Sequence, residues 1–142
     1  MIRNLAFALA LLLAASPTLA ETGGKVGGKA AKIDCANAMS QVEMTYCAEQ
    51  DWNAADAELN TAYAATKDLM KQIDAALPAD QQGAVTSLRD AQRAWIAFRD
   101  SACAAEGYTM RGGTGESMVI YSCRARLTQA RTADLQALSA GN

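Results

Sequence analysis

The fold is decided by residues 40–77, which read SQVEMTYCAEQDWNAADAELNTAYAATKDLMKQIDAAL. The stretch opens with a capping box, in which the Ser40 hydroxyl and the Glu43 carboxylate each accept a hydrogen bond from an otherwise unpaired backbone N–H group at a helix start. Apolar residues then recur at spacings of three or four, which is typical of an amphipathic helix. They are Met44, Ala48, Trp52, Ala55, Leu59, Ala62, Tyr63, Thr66, Met70, Ile73 and Leu77. This pattern predicts one long helix that ends before Pro78. A break in this helix near residues 49–51 is an alternative.

A second helix is predicted after a tight turn at residues 78–80. Asp80 is placed to cap it, and Gly107 is placed to end it. Its apolar stripe consists of Val85, Leu88, Ala91, Trp95, Phe98 and Ala102. Trp95 and Phe98 are therefore expected in the core.

The stretch from Tyr108 to Gly115 contains Gly112, Gly113 and Gly115, too many for the interior of a helix. We expect a loop there, followed by a last helix with two competing apolar faces. One face is Met118, Tyr121, Arg124/Ala125, Leu127/Thr128, Arg131, Leu135 and Leu138. The other is Ile120, Cys123, Leu127, Ala130 and Ala133/Asp134.

No stretch alternates between apolar and polar residues as a strand would. Helices joined by a short turn and one loop pack as an antiparallel bundle, with interhelical angles of about 20°. We predict an all-α, antiparallel bundle of three to four helices with two disulfides, formed by residues 33–142 as a single domain.

The amino terminus has the three parts of a secretory signal: Arg3, an apolar run over residues 5–15, and a small-residue end at Ala20. We expect residues 1–20 to be removed and residues 21–32, which are rich in Gly and Lys, to form a flexible leader. The apolar run is too short to span a bilayer, and no Cys follows it to accept a lipid. The expected product is a periplasmic or secreted protein with no membrane anchor.

Charge and composition exclude several classes of function. Loss of residues 1–20 would remove one of the 13 basic residues and none of the 15 acidic ones, which leaves a net charge of −3. No electrostatic case for nucleic acid follows. The chain contains no His, the commonest general base and metal ligand. We therefore expect no enzyme and no cofactor.

Four Cys lie after the predicted signal, and none forms the C-x-x-C pair that zinc sites use. An even number of Cys in an exported chain predicts disulfides. Cys103 and Cys123 fall near the same end of a helical hairpin. Cys35 can reach Cys47 because the chain bends at Ser40, whereas twelve residues of continuous helix would place them about 18 Å apart. A bridge from Cys35 or Cys47 to the second hairpin stays an alternative.

Acidic side chains permit an acid–base hypothesis, because Asp56 and Asn60 share a helix face and Asp100 lies within two turns of Glu106. The favoured interpretation is structural: Arg99 and Asp100 form interhelical ion pairs.

The loop offers a more specific hypothesis. Tyr108, Arg111 and Glu116 present an aromatic ring, a cation and an acid between two Cys, so a disulfide would reduce the entropy lost when the loop binds a partner. We predict that these three residues contact a protein partner. The alternative is a simple connector.

Several motifs occur together in a fixed order: C-x11-C, D-x-x-L-N-x-x-Y, Q-x-x-W-x-x-x-R-D-x-x-C and a last Cys. Their residues are Asp34–Ala38, Glu43, Cys47, Asp56–Asn60, Tyr63, Gln92–Trp95, Arg99–Cys103, Cys123, Arg131 and Leu135. This ordered set covers nearly all of the chain after the predicted leader and resembles the LprI-like lysozyme-inhibitor domain family.

The resemblance implies a small, exported, helical domain with paired Cys. It also implies that the protein partner is lysozyme, bound stoichiometrically and without chemistry. Because lysozyme is basic and this chain is acidic, long-range attraction would assist their encounter. The alternative function is a structural or accessory envelope adaptor that binds a helix or peptide along an exposed groove.

Overall fold

A computed structural model describes residues 33–141, and within them the chain forms three α-helices and two single-turn 3₁₀ helices. Helix α1 spans Gln41–Ala76, α2 spans Ala84–Gly107 and α3 spans Glu116–Ala140. The 3₁₀ helices cover Cys35–Asn37 and Tyr108–Met110. The described residues contain no strand. The predicted all-α fold is confirmed, whereas the predicted signal and leader, residues 1–32, lie outside the described part.

The predicted start and end of α1 are confirmed. The Ser40 hydroxyl accepts a hydrogen bond from the Glu43 backbone N–H at 3.2 Å, and the Glu43 carboxylate accepts one from the Ser40 N–H at 3.0 Å. The hydrogen bonds that the Glu43 carboxylate accepts from the Ser40 N–H, the Ser40 hydroxyl and the Met39 N–H hold the pKa of Glu43 below its ordinary value. The helix then runs unbroken for 36 residues, so the break considered near residues 49–51 does not occur.

Helix α2 starts differently from the prediction. Asp80 lies within the turn, and α2 begins four residues later. Its first N–H groups are capped by Asp74 from the last turn of α1, whose carboxylate accepts hydrogen bonds from Gly83, Ala84 and Val85 at 2.8, 2.8 and 3.1 Å. These bonds lower the pKa of Asp74. The cap therefore comes from the preceding helix instead of the turn.

Helix α2 ends at Gly107 as predicted, but for a different reason. The backbone of Gly107 is right-handed, with φ −59° and ψ −27°, so no left-handed turn requires glycine. A Cβ atom at this position would lie 2.6 Å from Cγ1 of Ile120 on α3. Glycine is needed here because the end of α2 approaches α3 closely.

The three helices run up, down and up, so α1 and α3 are parallel to each other and antiparallel to α2. The loop end of the bundle holds the start of α1, the end of α2 and the start of α3. The turn end holds the α1–α2 turn and the end of α3. We call the corresponding parts the loop half and the turn half. None of the helices described within residues 33–141 contains the long apolar stretch that a bilayer span requires.

The turn half contains the apolar core. Leu59, Ala62, Leu88 and Leu135 form a buried cluster, and Tyr63, Met70 and Trp95 pack against it. Thr66 is fully buried beside this cluster, and its hydroxyl lies 2.9 Å from the Ala62 carbonyl and 3.1 Å from the Leu135 carbonyl. A polar member of the α1 stripe is thus tolerated because its hydroxyl proton is shared between two acceptors.

Both disulfides lie in the loop half. Cys35 is bonded to Cys47 and Cys103 to Cys123, with Cα–Cα distances of 5.6 and 5.4 Å. Both predicted pairings are confirmed, and the bridge to the second hairpin does not form. The first bond ties the 3₁₀ segment before Ser40 to α1, and the second ties α2 to α3 directly below the loop.

The buried faces of α2 and α3 differ in part from the predictions. On α2 they include Gln92, Arg99 and Cys103, each one residue beyond the predicted Ala91, Phe98 and Ala102, and Phe98 is 60% exposed. The expectation that Phe98 lies in the core is wrong. On α3 the buried residues are Cys123, Ala125, Thr128, Thr132 and Leu135. They combine members of both predicted faces, together with Thr132, whose hydroxyl donates to the Thr128 carbonyl at 3.0 Å.

Candidate functional site

The three loop residues singled out in the sequence lie together at the loop end. The Arg111 guanidinium carbon lies 4.9 Å from the centroid of the Tyr108 ring, a cation–π distance. Arg111 Nη1 also donates a hydrogen bond to Glu116 Oε1 at 2.7 Å. Arg111 therefore links an aromatic ring on the 3₁₀ turn to an acid in the first turn of α3.

Glu116 differs from its two partners because it is the least exposed of the three. Its side chain is 22% exposed, against 63% for Arg111, and Tyr108 is 64% exposed. Its second oxygen accepts a hydrogen bond from the Gly112 N–H at 2.9 Å. This bond and the Arg111 guanidinium lower the pKa of Glu116, and Glu116 raises the pKa of Arg111. Glu116 thus holds the loop, while Tyr108 and Arg111 face solvent.

Exposed apolar side chains lie beside these residues, and the sequence analysis did not predict those around the start of α1. Met110 is 45% exposed in the loop, and Val42 and Met39 are 77% and 87% exposed around the start of α1. The loop and α1 meet at Gly115, where a Cβ atom would lie 2.8 Å from the Met110 methyl carbon and 3.7 Å from the Gln41 carboxamide oxygen. Met39 and Val42 carry a sequence signal, because both are apolar at a helix start yet lie off the apolar stripe.

An open pocket of about 350 Å³ lies between the start of α1 and the loop. Its lining residues are Gln41, Val42, Thr45, Thr114 and Ser117. We define the loop surface as Tyr108, Met110, Arg111 and Glu116 together with Met39 and Val42. A surface with aromatic, methionine and arginine side chains has the composition enriched at protein interfaces.

The signature motifs meet elsewhere, between the helices. The Arg99 side chain is 8% exposed and pairs with Asp56 of α1 at 3.3 Å and with Asp100 at 3.0 Å. Its guanidinium carbon lies 5.2 Å from the Trp95 ring centroid and 5.6 Å from that of Trp52. The predicted interhelical ion pair is present, and two indole rings shield it from solvent.

Helix α3 adds Tyr121 and Arg124 to this arrangement. We call the whole set the arginine–aromatic cluster; its members are Trp52, Asp56, Trp95, Arg99, Asp100, Tyr121 and Arg124. Arg124 lies 4.8 Å from the Trp52 ring centroid, on which the Tyr121 ring also stacks at 5.7 Å. Arg124 Nε is 3.4 Å from Asp100 Oδ1, and its geometry there falls short of a hydrogen bond. Nearer the turn end, Arg131 Nε donates to Gln92 Oε1 at 3.1 Å. The motif side chains therefore fix how α1, α2 and α3 pack.

The acidic residues of the acid–base hypothesis are engaged in the same way. Asp56 and Asp100 pair with Arg99, and Glu106 accepts a hydrogen bond from Arg126 of α3 at 2.8 Å. Asn60 donates to Asp56 at 3.2 Å. Each acid is bound to an arginine, so this geometry favours a structural role.

Together, the helical bundle, its two local disulfides and the three-helix cluster of motif residues define a class of small disulfide-linked helical domains. The family model described as "Lysozyme inhibitor LprI" matches residues 34–135. The chain belongs to this family, and the resemblance inferred from the motifs is confirmed.

The chain is also similar to two other proteins. An uncharacterized protein of Rhizobium meliloti (strain 1021) is 44% identical over an alignment of 108 residues, and the match covers 74% of this chain and 78% of that protein. The crystal structure of a duf1311 family protein from Pseudomonas putida KT2440 has a TM-score of 0.61 and 24% identity, and the match covers 70% of this chain and 94% of that one. This second similarity shows that the two proteins share a fold.

Proposed function

We propose that this protein binds lysozyme outside the cytoplasm and inhibits it stoichiometrically, with the loop surface as the contact. Family membership supports the partner. The observation that carries the site is that Glu116 holds the exposed Arg111, which in turn lies against the exposed Tyr108 ring. The protein would act by occlusion of the lysozyme cleft, with no chemical step.

Pre-organisation supports the choice of the loop. The Cys103–Cys123 bond closes the base of the loop, and Glu116 holds both the Arg111 side chain and the Gly112 backbone. A loop that is already ordered loses less conformational entropy on binding. Tyr and Arg are also the residues that most often carry the binding energy of an interface.

Charge supports the same pairing at long and short range. An acidic chain attracts basic lysozyme, which raises the rate of encounter. At contact, the exposed Arg111 guanidinium would face the pair of carboxyl groups that flank the scissile bond in a retaining glycosidase. The single cation of the loop thus complements the acidic chemistry of the cleft.

The two disulfides support the proposed compartment. Two disulfides persist in an oxidising compartment, and both form here between close neighbours. We propose that residues 1–20 direct the chain to the periplasm or the medium, where it would meet lysozyme.

A titration of lysozyme activity with the oxidised full-length protein tests the proposal. The lytic rate should fall in proportion to added protein and be lost near one equivalent. An unchanged rate at about tenfold molar excess, with the protein at about 10 μM or more so that micromolar binding would be detected, would overturn the inhibitor assignment and favour the envelope adaptor.

A pair of double variants tests the site separately. Arg111→Ala with Glu116→Ala should weaken inhibition about tenfold or more, the effect typical of interface hot spots. The control is Arg126→Ala with Glu106→Ala, which removes another exposed Arg–Glu pair joining α2 and α3 and should inhibit normally. Equal inhibition by both variants would remove the loop from the interface while leaving the function intact.

A further inference from the structure

A groove between α1 and α2 is separate from the loop surface. It has a volume of about 410 Å³, within the range of about 300–1,000 Å³ that small-molecule sites occupy. Its floor includes the buried Leu59 and Gln92, and Arg89 and Arg93 of α2 line it. The proposed lysozyme contact uses none of these residues.

The two arginines make the groove locally basic on an acidic chain, whose net charge is −2. They lie one helical turn apart, on the same side of α2. Arg89 uses Nε to bind Asp90 at 2.9 Å, which leaves its terminal nitrogens as donors. Arg93 forms no ion pair with any residue of 33–141. Arginine nitrogens bind the oxygens of carboxylates and phosphates in a bidentate geometry.

The third arginine of the groove, Arg99, has its charge balanced within the protein. It is paired with Asp56 and Asp100. Asp56, the acid that lines the groove, is therefore bound to Arg99 and does not neutralise Arg89 or Arg93. Arg89 is offset in part by Asp90, so Arg93 is the groove arginine that no acid of residues 33–141 pairs with. Arg93 is exposed, so an anion can reach it without desolvating a buried ion pair.

Apart from Asp56, neutral groups provide the rest of the lining. The Gln92 carboxamide oxygen accepts a hydrogen bond from Arg131, which leaves its N–H₂ group to donate. Asn60 donates to Asp56, which leaves its carbonyl oxygen to accept. Tyr63 is half-buried, and Ile96 is 40% exposed. Donors and acceptors beside an aromatic ring and an aliphatic side chain suit a molecule with hydroxyl groups and a nonpolar face.

We propose that this groove binds a small hydroxylated anion, a sugar acid or sugar phosphate, through Arg89 and Arg93. The oxyanion contacts the two guanidinium groups, and the hydroxylated ring lies against Tyr63 and Ile96 between Asn60 and Gln92. Carboxylate and phosphate share this chemistry, so the experiment must distinguish them.

Titrations of the oxidised full-length protein followed by ¹H–¹⁵N NMR test the proposal. The probes are D-glucuronate and D-glucose 6-phosphate, with methyl D-glucoside as the neutral sugar and inorganic phosphate as the anion without a sugar. At least one of the first two should shift signals of residues 60–63 and 89–96 and saturate. Both control probes should bind about tenfold more weakly or worse, because each lacks one half of the recognition.

Variants make the assignment specific. Arg89→Gln with Arg93→Gln should weaken binding of the preferred probe about tenfold or more. Arg126→Gln, an exposed arginine outside the groove, should bind it normally. An unchanged amide spectrum outside the groove would show that the double variant is folded.

Three results would overturn the proposal: no saturation by either charged sugar, equal binding of inorganic phosphate, or equal binding by the arginine variant. A shift confined to the loop surface would count against it in the same way. Because no probe involves lysozyme, failure here leaves the inhibitor proposal untouched, and failure of inhibition leaves the groove untouched.

Discussion

The two halves of the bundle are held together by different forces. In the turn half, leucine side chains from all three helices meet in one buried cluster. In the loop half, Arg99 is buried together with small residues, namely Cys47, Ala48, Cys103, Gly107, Cys123 and Ala125. Covalent bonds and the arginine–aromatic cluster replace a large apolar core there.

This difference explains how the loop end can leave apolar side chains in solvent. Met39, Val42, Tyr108 and Met110 are exposed at that end, so they contribute little to folding by burial. The disulfides supply stability that does not require these side chains. A binding surface and a stable fold are therefore compatible in one small domain.

The largest expected effect is in the turn half. Leu135→Ala removes a side chain that is 1% exposed and should lower the free energy of unfolding by about 2–5 kcal/mol, through lost burial and a cavity. Leu138→Ala is the matched control on the same helix, because Leu138 is 45% exposed. Its effect should stay within about 0.5 kcal/mol. Urea unfolding measures both, and equal losses would contradict the placement of the core.

In the loop half, the corresponding change is loss of the bond between α2 and α3. Replacement of both Cys103 and Cys123 by Ala should lower the free energy of unfolding by about 3 kcal/mol, because a closed loop of 20 residues limits the unfolded chain. Native hydrogen exchange should show the loss of protection first in residues 108–123. A uniform loss across the turn half would contradict the division of the molecule into two halves.

A smaller effect is expected from the buried hydroxyl at the α1–α3 contact. Thr66→Val removes the hydroxyl that bonds to the Ala62 and Leu135 carbonyls and should cost about 1 kcal/mol of unfolding free energy. Thr61→Val removes a similar hydroxyl, bonded to Ala57 at an exposed site, and should change stability by less than about 0.5 kcal/mol. Thermal unfolding of the two variants compares them; a more stable Thr66→Val protein would disprove the role of this bond.

The smallest effect concerns the cap at the turn end. Because the pKa of Asp74 is lowered in the folded protein, its carboxylate stabilises the fold above its unfolded pKa of about 4, and this contribution is lost as pH falls through the folded value. Asp74→Asn should lower Tm by a few degrees at pH 7 and by less at pH 2.5. Asp80→Asn should leave Tm unchanged at both values. A pH-independent difference for Asp74→Asn would contradict the cap.

Local signals in the sequence predicted much of this architecture. The capping box placed the start of α1, and the bend at Ser40 together with the helical hairpin placed both disulfides. These features depend on residues close in sequence or on adjacent helices, so spacing alone locates them.

The wrong predictions on α2 have a common physical cause: a side chain of α1 supplies a partner that the local sequence does not show. Asp74 replaced Asp80 as the cap of α2 because the turn brings the end of α1 beside it. Arg99 is buried where Phe98 was expected because Asp56, Asp100 and two indoles satisfy its charge. A hydropathy pattern does not predict these hydrogen-bond and ion-pair partners, because tertiary packing brings them together.

The candidate site was partly predictable for the same reason. Tyr108, Arg111 and Glu116 lie within one loop, so their proximity follows from the sequence. Val42 joins them because the start of α1 lies beside the loop, and Met39 lies just before that helix. The α1–α2 groove depends on the separation between those two helices. Neither feature is local.

Hydrogen exchange of the oxidised protein with and without lysozyme tests the central claim most directly, that a cross-linked helical scaffold presents the loop surface to this partner. We predict slower exchange with lysozyme at residues 108–117 and 41–45, and no change at residues 56–63 and 89–96. Unchanged exchange at residues 108–117 under saturating lysozyme would contradict the account.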